Sequence, residues 1–306
     1  VTGSIIRRAT VQDVDALAAY IARANADPAG QCLHTPGCKK VVIREALLRE
    51  GGLAGGNEQS VFVLATAATG ENGGIVGAIG CQSGASGETG WLWGPWAATP
   101  AGWKTHGPAL LQELLSALPP GVRRLDAFLN IENEDGLRFL EGNGFSIRTA
   151  THIYVAAAAA VADAPLPELS PRHEVGFARL HRETFPAADS TPAEQLLAGR
   201  DDEHLIFAAA DDLRLLGYVC VSVNAAPREG FIDYLAVRPA ARGRGIGQRL
   251  LQTALRWSFA DRGLPQAALC VTEWRADARR LYERAGFRLS ATGRGARRQL
   301  QREIRL

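Results

Sequence analysis

Between residues 237 and 251 the chain reads VRPAARGRGIGQRLL: a strand-like run ends at Pro239, and Arg242, Gly243, Arg244, Gly245 and Gly247 then crowd into six positions. A helical periodicity follows at once, with Ile246, Leu250, Leu251, Ala254, Leu255 and Ser258 on one face. The first amides of a helix have no intrahelical acceptor and lie at the positive end of its dipole, so a glycine-rich turn at a helix mouth is suited to anions. Missing Cβ atoms let a phosphate approach the amides, and the two arginines add charge. Two nucleotide-binding patterns fail here. The third glycine of G-x-G-x-x-G is replaced by Gln248, and no lysine stands where a Walker loop requires one. On the preceding strand Asp233 lies two and four positions before Leu235 and Val237, which by alternation predicts one shared face, with Glu229 farther out on it.

The order of these residues resembles the GCN5-related N-acetyltransferase (GNAT) family. Its coenzyme A loop, R/Q-x-x-G-x-G/A after a strand, is matched by Arg242, Gly245 and Gly247, and a later helix with a leucine–tyrosine pair before Gly-Phe by Leu281, Tyr282, Gly286 and Phe287. The resemblance implies an acetyltransferase using acetyl-CoA as cosubstrate and no metal. It implies a cofactor site at Leu235, Val237, Arg242, Gly243, Arg244, Gly245, Ile246 and Gly247, the loop amides holding the pyrophosphate and the strand pairing with the pantetheine arm. Tyr282 stands where the family places the tyrosine that protonates the departing thiol, and Asp233 is the candidate general base, with Glu229 as the alternative. The acceptor is then a small-molecule or peptide amine. Arg275 departs from the family, which often has asparagine six residues before the leucine of the pair. A coenzyme A-binding sensor that has lost turnover is the competing reading of the same loop.

The elements that must position these residues occur twice. NEDGLRFLEGNGF at 133–145 and RADARRLYERAGF at 275–287 share a frame, and Pro100 with Leu110 and Leu111 parallels Pro239 with Leu250 and Leu251. The offset of about 140 residues predicts a duplicated domain: two tandem α/β (α+β) GNAT-like domains, each a mixed central sheet flanked by helices. We expect a degenerate first domain over 1–155, a linker over 156–171 where alanine gives way to three prolines, and a catalytic domain over 172–306. In the first copy the loop reads GWKTHGPALL, where only Gly107 keeps its place, Pro108 removes an amide, and Leu140 stands at the tyrosine's position. Pro95 interrupts the strand before it. Trp91, Trp93, Trp96 and Trp103 read as packing residues.

The 306 residues are 46% hydrophobic and 22% charged, with a net charge of +2. That balance argues against disorder and against a whole-molecule field for nucleic acid. The chain opens without the apolar run of a signal peptide, and its longest apolar run, IYVAAAAAVA, is half the ~20 residues needed to span a bilayer, so a cytoplasmic location without membrane contact is expected. Five cysteines with no export signal suggest reduced thiols. Cys32, His34 and Cys38 have the types of zinc ligands, but no second cluster completes a tetrahedral site, and a plain loop is expected. The basic end, RGARRQLQREIRL, reads as a solvated closing strand rather than a nucleic-acid arm.

Overall fold

The computed structural model describes residues 4–49, 53, 60–67, 74–83, 87–159, 165–186, 190–212, 214–224 and 228–300. By contacts the chain divides into two compact units, Val1–Thr151 with Thr292–Leu306, and His152–Ala291.

The first unit runs β1 (Ser4–Arg8), α1 (Val14–Asn25), α2 (Lys40–Arg49), β2 (Ser60–Ala67), β3 (Ile75–Ser83), β4 (Thr89–Ala97), α3 (Pro100–Thr105), α4 (Gly107–Ala117), β5 (Arg124–Asn130), α5 (Glu134–Gly142) and the start of β6 (Ser146–Ala157). The second takes the rest of β6 and continues α6 (Glu174–Thr184), α7 (Ala193–Ala198), β7 (His204–Ala210), β8 (Leu215–Asn224), β9 (Glu229–Val237), α8 (Ile246–Arg256), β10 (Gln266–Thr272), α9 (Ala276–Arg284) and the start of β11 (Arg288–Gln299). Both are mixed sheets flanked by helices. In the first the order is β1-β2-β3-β4-β5-β11, with β4 and β5 parallel; in the second it is β6-β10-β9-β8-β7, with β9 and β10 parallel.

The last strand falls differently from the expected division. The expectation assigned 292–306 to the second domain, whereas residues from Thr292 group with the first unit, where β11 pairs antiparallel with β5 from Gly293↔Asn130 to Gln299↔Arg124. Residues 301–306 of the basic end lie outside the described residues. An ion pair fixes the register: Arg297 donates from Nε to Asp126 Oδ1 at 2.7 Å and from a terminal nitrogen to Oδ2 at 3.1 Å, and Asp126 is buried. Arg124 Nε, also 3.1 Å from Asp126, is off line for a hydrogen bond and contributes charge only. Removing one partner of a buried pair leaves an uncompensated charge. Arg297→Ala is therefore expected to lower stability by about 2 kcal/mol, below the usual loss because Arg124 remains, read from the urea midpoint.

The second half of the expected linker is structured. Leu169 donates its backbone N–H to Ile206 O at 2.7 Å, Ala208 to Pro167 O at 2.9 Å, and Leu166 and Leu169 are buried. Residues 160–164 of that stretch lie outside the described residues.

The second unit has two apolar layers, one on each face of its sheet. α6 and α7 contribute Phe177, Leu180 and Ala193 to one, against Ile206, Tyr218 and Cys220. α8 contributes Leu250, Leu251 and Ala254 to the other, against Val219, Val221 and Ile232. Beyond α8 a turn of π-helix, Trp257–Asp261, brings Ser258 onto Gly230 so closely that a Cβ there would collide with the serine hydroxyl. That close approach accounts for glycine at the start of β9.

Candidate active site

The loop sits where the sequence places it. After Val237 a short turn, Pro239–Ala241, leads into Arg242, and α8 begins at Ile246. Gly243 and Gly245 have φ of +75° and +74°, a region L-residues rarely enter, which requires glycine at both. At each, the space a Cβ would occupy has no protein atom within 4 Å, so bare backbone faces an open cradle at the mouth of an eleven-residue helix. Gly247 follows on the first turn, where a Cβ would meet only Leu281 at 3.4 Å and Val237 at 3.7 Å. Arg242 donates from Nε to Val237 O at 3.3 Å, tying the loop to the strand end, while Arg244 is exposed. These residues fit a diphosphate: open amides at a positive helix end with an arginine beside them.

Next to this cradle the sheet opens. β9 and β10 pair from Glu229↔Gln266 to Ile232↔Leu269 and no further, although β9 continues to Val237 and β10 to Thr272. The register between β8 and β9 shifts at the same point: Val221 faces Ile232 and Cys220 faces Tyr234, which leaves Asp233 as the extra residue of a β-bulge.

The bulge overturns the expected shared face. Asp233 and Tyr234 both turn to the α6/α7 side, whereas Leu235 and Val237 pack with the α8 side. Alternation predicts the opposite because it has no place for an unpaired residue. Asp233 lines a cavity of about 230 Å³ with Thr191, Leu196, His204, Cys220 and Ser222. Its surface is open to solvent, yet it is recessed among protein atoms, and their desolvation raises its carboxyl to about 6 against a hydrogen bond from Ser222 and the charge of His204. The neighbouring Cys220 thiol is buried and pushed well up, so it remains neutral beside it. Glu229 is engaged: Oε2 accepts from Gln266 at 2.8 Å and Oε1 from Asn224 at 3.2 Å.

Tyr282, on α9, is buried in the α8-side layer, its ring 6.1 Å from Phe287 and 6.5 Å from Tyr154. Desolvation raises its hydroxyl to about 12, so it stays protonated throughout the physiological range. Tyr154 is held in turn, donating to Glu283 Oε1 at 2.8 Å. Tyr282 and Asp233 thus belong to opposite faces of the sheet.

The first unit keeps the opening but fills it. β4 and β5 pair only from Thr89↔Arg124 to Trp91↔Asp126, and Gly94 and Pro95, joined by a cis peptide bond, occupy the register shift between β3 and β4. Residues 31–33 bond along the free edge of β5: Leu33 N–H to Phe128 O at 2.8 Å and Asn130 N–H to Gln31 O at 3.1 Å, with Cys32 Sγ 3.8 Å from Leu92 O. The other edge of β5 carries β11, so this segment lies on the β4 side, in the split. The glycine loop's counterpart is the helix α3, and a Cβ at Gly107 would be 2.6 Å from the Phe139 ring, itself against Trp103 at 5.4 Å. Gly107 therefore serves packing. Leu140 is fully buried.

Cys32 is buried and bonded, Cys38 is exposed, and His34 stacks on Trp91 at 4.8 Å, where burial lowers it to about 4. Among the described residues no group of three or more His, Cys, Asp or Glu side chains could hold a metal ion, and no helix is long and apolar enough to cross a membrane.

A mixed sheet whose parallel strands β9 and β10 pair no further than Ile232 and Leu269, with a glycine turn at the mouth of the helix that follows, is an α/β arrangement with an open loop beside a parted sheet. Residues 175–287 match the model of the acetyltransferase (GNAT) family. The PanD regulatory factor of Escherichia coli (strain K12) is 42% identical over 71 residues, covering 21% of this chain and 54% of that protein. The mycothiol acetyltransferase of Rhodococcus jostii (strain RHA1) is 37% identical over 87 residues, 27% of this chain and 28% of that protein. The chain thus spans from about a quarter to half the length of these relatives. A GCN5-related N-acetyltransferase from Sphaerobacter thermophilus superposes with a TM-score of 0.65, covering 99% of this chain and 98% of that one, at 19% identity, a likeness of fold. Residues 175–287 thus carry the GNAT pattern, and the chain as a whole has the fold of solved GNAT proteins.

Proposed function

We propose that the protein transfers an acetyl group from acetyl-CoA to a primary amine, with its working site in the second unit. The observation that carries this reading is the conjunction of an open glycine cradle at α8 with a split between β9 and β10, flanked by Tyr282 on one face and Asp233 on the other. When bound, acetyl-CoA supplies an acetyl group activated as a thioester. The amides of residues 243–247 hold its diphosphate, Arg242 and Arg244 add charge, and the free edge of β9 around Leu235 and Val237 offers backbone groups to an extended arm. Holding both substrates at one gap replaces a bimolecular encounter with a positioned one.

Asp233 takes a proton from the acceptor's ammonium, since only a neutral amine carries the lone pair that attacks. Glu229 is set aside as base because both its oxygens are engaged. A hydroxyl near 12 is a weaker acid than an ordinary thiol near 8.5, so Tyr282 stabilises the departing sulfur chiefly by a hydrogen bond. The first unit contributes structure, its split being filled by residues 31–33 and its tyrosine position by Leu140. The acceptor is a small molecule or peptide amine.

Release of coenzyme A thiol from acetyl-CoA, measured with and without a panel of primary amines, tests this function. Amine-dependent release with acetylated product by mass spectrometry is expected; tight acetyl-CoA binding without turnover would leave a coenzyme A sensor instead. Asp233 also predicts a pH limb. With its carboxyl near 6, the base form grows as pH rises, so activity should climb through about pH 6 and level off above it. Asp233→Asn should remove that limb together with most of the rate.

A further inference from the structure

One wall of the cavity that Asp233 lines belongs to no strand or helix: Thr191, in the connection between α6 and α7. A residue in such a connection has no ladder to take up its backbone groups, and here side chains take them up instead. His181 Nε2 lies 2.9 Å from Thr191 O, and the Thr191 N–H donates to the Tyr234 hydroxyl at 2.9 Å. That hydroxyl donates in turn to Thr191 Oγ1 at 3.4 Å, so the residue is held at three atoms. A carbonyl can only accept. Nε2 therefore carries the ring hydrogen, and Nδ1 accepts from the Tyr218 hydroxyl at 2.7 Å. Burial lowers His181 against the bond to Thr191, which keeps the ring in this neutral form.

The anchor is packed tightly where the wall itself is irregular. His181 and Tyr218 are buried, the Tyr218 ring lies 4.6 Å from Phe177, and the Tyr234 ring lies 4.8 Å from His181 and 5.0 Å from Phe185. Tyr234 also follows Asp233 directly at the bulge, so the irregularity that turns the carboxyl to this face brings up the hydroxyl that holds Thr191. Wall and carboxylate are thus set by adjacent residues. Leu196, Leu205, Ile206 and Val221 supply the apolar part of a lining around about 230 Å³. A small cavity with one carboxylate and several aliphatic side chains suits an ammonium group carried on a short apolar body.

We propose that His181 and Tyr234, by fixing Thr191, shape the acceptor pocket and give it a preference for a primary amine on a compact apolar body. This rests on the acetyl transfer proposed above, with the Asp233 cavity receiving the acceptor. His181 and Tyr234 act through Thr191 and are positioning residues.

The test uses the full chain with acetyl-CoA and four amines: isobutylamine, phenethylamine, spermidine and glucosamine. Isobutylamine or phenethylamine should show the highest kcat/KM. For the better of these two, Tyr234→Phe, which keeps the ring and removes both bonds to Thr191, should raise the acceptor KM about three- to tenfold, with kcat and the KM for acetyl-CoA within about twofold of the parent. His181→Phe removes the donor to the Thr191 carbonyl and should act in the same direction, whereas His181→Gln, whose amide nitrogen takes the place of Nε2, should recover most of the loss. A thermal melt follows folding, and Tyr234→Phe decides the outcome if His181→Phe does not fold. An acceptor KM unchanged in Tyr234→Phe, or a KM for acetyl-CoA that rises in step with it, overturns the positioning role. Spermidine or glucosamine as the best acceptor overturns the preference. No transfer by the parent to any of the four amines overturns the reading on which the proposal rests, and the proposal with it.

Discussion

Gly245→Glu is expected to weaken acetyl-CoA binding by more than about 100-fold, through a side chain in the cradle and a charge that repels phosphate. The fold should survive it. No protein atom lies within 4 Å of the new Cβ, and the remaining cost is an L-residue at φ +74°, roughly 1–2 kcal/mol. Titration calorimetry for affinity and a thermal melt for folding separate the two effects. An unaltered affinity in a folded variant would remove the diphosphate from this loop.

Tyr282→Phe is expected to lower kcat by about 10- to 100-fold with coenzyme affinity nearly unchanged, since only a hydroxyl is lost from a packed ring. The low end of the range for a positioned acid is appropriate because a thiolate is a fair leaving group unaided. The raised hydroxyl points the same way: a group near 12 does not hand over its proton fully to a sulfur near 8.5, but it can lower the charge that builds there. The comparison requires conditions where chemistry limits the rate. An unchanged kcat under those conditions would make Tyr282 a packing residue beside Phe287 and Tyr154.

The parts of this architecture that depend on local chemistry were legible in the sequence. Glycines at 243 and 245 announce positive φ, the spacing of Ile246, Leu250 and Leu251 announces the buried face of α8, and the 140-residue repeat announces two similar domains. What was hidden depends on pairing partners far along the chain. The run GFIDYLAV reads as one alternating strand, and nothing in it marks Asp233 as the unpaired residue that reverses the faces of everything after it. The destination of β11 was hidden for the same reason: alternation identifies a strand but not its neighbour, and the buried partner of Arg297 is 171 residues away. Residues 31–33 carry no strand signal because they fill a split rather than belong to a ladder. His204 and Ser222 escaped notice because a lone histidine and serine on strands acquire meaning only when a cavity brings them to Asp233. In the first copy GWKTHGPALL reads as the counterpart of the glycine loop, whereas its first residues belong to α3, which Pro100 opens behind the Thr99 cap.

We propose one working site per chain, built on the α8 loop and the β9/β10 split. A crystal structure of the chain grown with acetyl-CoA tests it most directly. One coenzyme per chain is expected, its diphosphate on the amides of residues 243–247 and its thioester between Tyr282 and Asp233, with residues 31–33 still seated along β5. Coenzyme bound against α3 and β4 of the first unit, or density for its diphosphate away from Gly243 and Gly245, would contradict it.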